Sequence, residues 1–165
     1  FLKIAENLYN KILKIDPYHI ETIFSLGTLL VQTRKFDKAK QLLQKATQIN
    51  PNYVNTHFNL GIDFKELEEY QKAINCYQKA IEINPNYVNS YNNLGIILVQ
   101  LNQVNKAKKY FDKSLKLDPS KKKTCEGYGN LLLKLNQHKQ ALLYIRKGTG
   151  FIRFTQKDFK IIWNE

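Results

Sequence analysis

The chain has 165 residues, 43% of them hydrophobic and 24% charged, with a formal net charge of +12. No apolar run approaches the roughly 20 residues a membrane-spanning helix needs, and Cys76 and Cys125 show no paired spacing that would suggest a disulfide or metal site. No targeting segment is visible, so the expectation is an intracellular, cytoplasmic protein with free thiols.

Residues 1–15 carry Ala5 and Tyr9 ahead of Pro17, a spacing that recurs down the chain as Ala39, Leu43 and Pro51, then Ala73, Tyr77 and Pro85, then Ala107, Phe111 and Pro119. The start therefore reads as the second helix of a pair whose first helix is missing. Together with Phe1 in place of methionine and the absence of Met, this makes the chain an expected fragment of a longer protein. Paired helices follow over 20–33 and 37–49, 54–67 and 70–83, 88–101 and 104–117, 122–135 and 138–147. Every second helix ends in an Ile or Leu, an Asn or Asp, and then a proline, because the residue before proline avoids helical angles. Gly27, Gly61, Gly95 and Gly129 keep the same 34-residue step. Glycine inside a helix costs about 1 kcal/mol against alanine, so its recurrence implies close approach of a neighbouring helix. Gly148-Thr149-Gly150 breaks the pattern, and Thr155 to Asp158 read as the cap of a short closing helix over 156–165 that runs through Phe159, Ile161, Ile162 and Trp163.

A 34-residue period with these residues in fixed phase is the signature of a helix-turn-helix solenoid. Ile23, Leu26, Gly27, Leu30, Ala39, Leu43 and Pro51, with their counterparts His57 to Pro85 and Tyr91 to Pro119, resemble the tetratricopeptide repeat pattern. The resemblance implies an all-α, right-handed α-solenoid of antiparallel helix pairs with a short C-terminal capping helix. Its parts are a partial repeat at 1–19, full repeats at 20–53, 54–87 and 88–121, a degenerate repeat at 122–155 and the cap at 156–165. Arg153 stands where the last proline belongs. Ser114 and Gly148 replace the alanine that Ala46 and Ala80 supply, which is expected to loosen packing locally. Leu2, Ile4, Leu8 and Ile12 lie on an uncapped first helix, so end-to-end self-association is an expected consequence.

The charge is uneven. Residues 54–87 hold three lysines against five acids, whereas residues 122–155 hold seven basic residues against Glu126 alone. A lysine-rich surface attracts nucleic acid, an anionic membrane or an acidic partner, and its sign does not choose among them. The resemblance implies protein or peptide binding on a concave face lined by the first helix of each pair. In the slots six and two before the glycine stand Asn55 and Asn59, then Asn89 and Asn93. Side-chain amides carry both donors and an acceptor, so such a row suits an extended peptide backbone. Asn59 and Asn93 are similar to two rungs of the asparagine ladder in the O-linked N-acetylglucosamine transferase repeats. The carboxylate clamp of other tetratricopeptide domains is matched by Asn93 and Lys123 only. Phe58, Ile62 and Ile96 offer apolar pockets between the polar positions, and Gln100, Lys123, Asn130 and Lys134 complete the expected face.

His19, His57 and His138 assemble no nucleophile, base or metal set, and no phosphate-binding loop or HExxH motif is present. All carboxylates read as ordinary surface groups. The expectation is a non-catalytic interaction scaffold without cofactor or metal that binds an extended peptide. A second reading makes it the substrate-targeting part of a larger transferase or oxygenase, and a third a basic RNA-binding solenoid.

Overall fold

The computed structural model describes residues 1–150, 153–154 and 161–162. Among the described residues the helices are α1 (Leu2–Ile15), α2 (Ile20–Gln32), α3 (Phe36–Ile49), α4 (Val54–Glu66), α5 (Tyr70–Ile83), α6 (Val88–Gln100), α7 (Val104–Leu117), α8 (Lys122–Lys134) and α9 (His138–Thr149). Each matches an expected helix, with ends displaced by at most two residues. The closing helix over 156–165 falls mainly outside the described residues. At the two positions that are described, Ile161 and Ile162, the expectation is corrected: they form a short strand, β2, paired antiparallel with β1 (Arg153–Phe154). Two adjacent β-branched residues favour that extended geometry over a helix.

The helices fall into an N-terminal unit, Phe1–Tyr87, and a C-terminal unit, Val88–Glu165. One set of chain reversals repeats through both. Asp16, Asn50, Asn84 and Asp118 leave the helix in extended conformation (φ −126 to −142°), and each Oδ1 accepts a 3.0 Å bond from the backbone N–H two residues on. Thus the acid or amide before each proline both stops a helix and builds the turn after it. The reversals inside each pair have a second device, at a position the sequence reading passed over. Arg34, Glu68, Asn102 and Asn136 all adopt left-handed angles, with φ between 57 and 60°. In the first two pairs, the N–H of the next residue, Lys35 or Glu69, reaches back to Leu30 O or Phe64 O at 2.8 Å. That is the Schellman closure, which satisfies carbonyls left open at a helix end.

Within each pair the recurring glycine meets a large side chain sixteen residues later. A Cβ at Gly61 would lie 2.6 Å from Tyr77 Cε1, and one at Gly95 would lie 2.7 Å from Phe111 Cε1. Tyr77 and Phe111 are wholly buried, as are Ala39, Ala73, Ala107 and Ala141. The apolar area removed at these contacts, worth about 25 cal/mol per Å², outweighs the helix-propensity cost of glycine.

The expected loosening at Ser114 and Gly148 is corrected. Ser114 is fully buried, with its Oγ 2.9 Å from Thr124 Oγ1 and 3.4 Å from Val88 O. At Gly148 a Cβ would come within 2.9 Å of the backbone N of Glu126 and O of Lys122. The missing methyl thus lets α9 approach α8 more closely. At the start of the chain Leu2, Ile4, Leu8 and Ile12 are exposed.

Candidate functional site: the first-helix face of the N-terminal unit

Alternation of first and second helices places Phe24, Ser25, Thr28 and Gln32 one turn apart on α2, where they share a face. With Ala5 and Tyr9 of α1 and Leu29 beneath, they line an open concavity of about 270 Å³. These are the same repeat slots that Phe58, Asn59 and Ile62 occupy on α4. A larger hollow of about 430 Å³ lies among α1, α2 and α3, with Leu13, Leu26, Leu30 and Leu42 in its wall. Its rim mixes Glu6 with Lys38 and Lys45, and Glu6 is already held by Lys35 Nζ at 2.8 Å.

The asparagines expected to form the face are mostly engaged within the protein. Asn59 is only 9% exposed, and its Nδ2 donates to Thr28 Oγ1 at 2.6 Å. Thr28 Oγ1 in turn donates to Phe24 O at 2.9 Å, so a hydrogen-bonded chain ties α4 to α2. The expectation of an open amide at Asn59 is therefore corrected. Its donor half is consumed by the repeat contact, and only Oδ1 is without a bond among the described residues. Asn55 Oδ1 accepts from Tyr87 Oη at 2.9 Å, which leaves its NH2 group. Phe58 is half-buried, with its ring 5.3 Å from Tyr87 and 5.8 Å from Tyr77. Its expected pocket is thus already filled by tyrosine, just as Tyr53 packs edge-on against Phe24 at 5.2 Å. Ile62 is half-buried on α4.

The remaining expected positions lie in the C-terminal unit. Asn89 and Asn93 are half-buried on α6, and Asn93 Oδ1 receives a long 3.5 Å contact from Asn92 Nδ2. Ile96 packs against the core cluster around Leu98 and Phe111. Gln100, Lys123, Asn130 and Lys134 are exposed. His57 Nε2 lies 2.6 Å from Pro51 O, and His19 caps α2 with Nδ1 accepting from Thr22 N at 3.3 Å.

One carboxylate overturns the expectation that all acids are ordinary surface groups. Asp63, two residues past Gly61 on α4, is fully buried, and neither carboxylate oxygen has a hydrogen-bond partner among the described residues. Burial pushes its pKa up to about 6, opposed by Lys40 and reinforced by Asp37 and Glu69. Lys40 Nζ sits between Glu69 at 3.7 Å and Asp37 at 3.9 Å. The signal was present in the sequence, since the equivalent slots hold Leu29, Ile97 and Leu131. Both cysteines are free, and burial pushes the Cys76 thiol up to about 12. No group of three or more metal-ligating side chains occurs among the described residues, and no helix among them is long and apolar enough to cross a membrane.

Tandem helix hairpins with small residues at every crossing define an α-helical repeat protein of the solenoid class, a protein-interaction scaffold. Two family models for this repeat match the chain, the TPR repeat over residues 63–102 and the tetratricopeptide repeat over residues 88–121. The model for anaphase-promoting complex, cyclosome, subunit 3 matches residues 2–80. The chain belongs to the tetratricopeptide repeat family. Among solved structures it resembles MamA, with TM-score 0.78 and 24% identity over 89% of this chain and 86% of that one. PilF of Pseudomonas aeruginosa superposes with TM-score 0.81 at 22% identity, covering 90% of this chain and 68% of its own. YrrB, described as a TPR protein with an unusual peptide-binding site, gives TM-score 0.70 at 21% identity over 90% and 77%. No curated protein sequence matches the chain.

Proposed function

We propose that this protein binds an extended peptide along its first-helix faces, with the α1–α2 concavity as the principal pocket. The observation that carries this reading is the juxtaposition in that pocket of ring and aliphatic surface (Tyr9, Phe24, Leu29) with hydrogen-bonding groups (Ser25, Gln32). Asn59 Oδ1, fixed from behind by Thr28, adds an acceptor held in one orientation. An extended peptide offers an N–H every second residue on one side and a side chain for the pocket on the other. The peptide-binding description of YrrB, which shares the fold, supports the same assignment. Asn55 on α4 extends this proposed surface, and the C-terminal unit carries Asn89, Asn93, Ile96, Gln100, Lys123, Asn130 and Lys134 on its own first helices.

The test begins with a peptide recovered by display selection on the whole chain, its affinity then measured by fluorescence anisotropy. Ser25→Trp fills the concavity from its half-buried wall and is expected to weaken binding at least about tenfold. Asn59→Ala is expected to lose affinity together with about 1 kcal/mol of stability, because its bond to Thr28 goes as well. Unchanged affinity in Ser25→Trp rules out this pocket.

A further inference from the structure

A second concavity belongs wholly to the C-terminal unit and has different chemistry. Tyr91 of α6 and Lys106, Lys109, Tyr110 and Lys113 of α7 enclose about 310 Å³. The three lysines are spaced three and four apart on α7, so they project from one face over about 10 Å of helix. No acidic side chain lines the hollow, and none of the three lysines has an ion pair or hydrogen bond among the described residues. Lys108 differs: its ammonium is bonded to Asp112 at 3.0 Å. The surroundings supply little counter-charge, since residues 88–165 hold fifteen basic residues against five acidic ones. Three cations around an aromatic floor are complementary to an anionic ligand from outside.

We propose that this hollow docks an acidic segment of a partner polypeptide, which inserts one apolar side chain against Tyr91 and Tyr110 and sets carboxylates on Lys106, Lys109 and Lys113. Carboxylates two residues apart on an extended chain are separated by about 7 Å, close to the spacing of successive lysines on this face. The ring geometry favours a peptide over nucleic acid. Bases need an open ring face to stack on. Tyr91 is 8% exposed, and its ring is tilted 41° to Tyr110 with centroids 6.4 Å apart, so the pair presents an apolar cleft instead of a flat platform. This site lies chiefly on a second helix and does not depend on the first-helix groove.

The test uses the whole chain and a fluorescein-labelled acidic pentapeptide with a central phenylalanine, followed by anisotropy at low and moderate salt. Binding is expected at low salt and weakens steeply as salt rises. The combined variant Lys106→Gln, Lys109→Gln and Lys113→Gln, whose side chains are exposed and whose helicity circular dichroism verifies, is expected to lose at least about tenfold in affinity. Tyr110→Ala, or a probe with glycine in place of phenylalanine, is expected to lose several-fold at constant salt. The control pair Lys122→Gln and Lys139→Gln, exposed lysines of the same unit outside the hollow, is expected to bind as the unmodified chain does. Three outcomes overturn the proposal: no binding at low salt, equal weakening by the control pair, or displacement of the peptide by oligouridylate at lower concentration than by unlabelled peptide.

Discussion

The two units share one repeat yet fill its inner slots differently. In the C-terminal unit the slot two residues past the glycine holds Ile97 and Leu131, both without exposed surface, and the core around them is apolar. In the N-terminal unit the same slot holds Leu29 and then Asp63, and Asn59 is bonded to Thr28 nearby. Charge follows the same division. Seven lysine or arginine ion pairs tie the N-terminal unit together, whereas Lys108–Asp112 is the one described in the C-terminal unit. A repeat fixes where helices cross and leaves each inner position free to be spent on stability or on polar chemistry. Here the N-terminal unit carries the buried carboxylate and the C-terminal unit most of the unpaired cations.

The largest test of that contrast exchanges the slot itself. Asp63 has a raised folded-state pKa, about 6 against an ordinary 3.8, so the unfolded chain ionises more readily. The contribution of Asp63 to stability is therefore expected to be most favourable below pH 4, to fall as pH rises from about 4 to about 6, and to stay level above. Asp63→Leu, which installs the residue found at positions 29 and 131, is expected to raise stability at pH 7 by on the order of 3 kcal/mol and to remove that slope. Urea unfolding across this pH range measures both. An unchanged slope would mean that the carboxylate reaches solvent in the native state.

Overfilling the helix crossings comes next, and here the units should agree. Ala73→Leu and Ala107→Leu each place a large side chain at a site with no exposed surface, at an expected cost of about 1 to 3 kcal/mol. A marked difference between the two, seen in thermal unfolding, would show that one unit is packed less tightly.

The smallest effect lies at the reversals. The left-handed position is asparagine in the C-terminal unit, at 102 and 136, but arginine and glutamate in the N-terminal unit, at 34 and 68. Asparagine tolerates these angles better than other side chains. Glu68→Asn is expected to stabilise by roughly 0.5 kcal/mol and Asn102→Glu to destabilise by a similar amount. Opposite shifts in urea midpoint would confirm the pair.

The features legible in the sequence are those the repeat copies identically. Prolines 17, 51, 85 and 119 marked the helix ends, and the glycines marked the crossings, because each acts through local backbone or through a partner at fixed distance. What escaped depends on contacts between repeats or on one copy departing from the rest. The open amide expected at Asn59 is closed by Thr28, 31 residues away, and no local signal reports such a bond. Gly148 read as a packing defect because the methyl it lacks is visible in sequence, whereas the backbone that moves in is not. Asp63 was hidden by counting it with Glu66, Glu68 and Glu69 as surface charge, although its register alone assigned it to the core.

The central claim, a peptide seated on the first-helix face of the N-terminal unit, is tested most directly by amide NMR on the isotope-labelled chain during titration with a selected neutral peptide. The account predicts saturable shifts at the backbone amides of Ser25, Thr28 and Gln32 and at the side-chain amides of Gln32 and Asn59, with α7 unaffected. Shifts confined to the second helices α3, α5 and α7, with α2 and α4 unmoved, would contradict it.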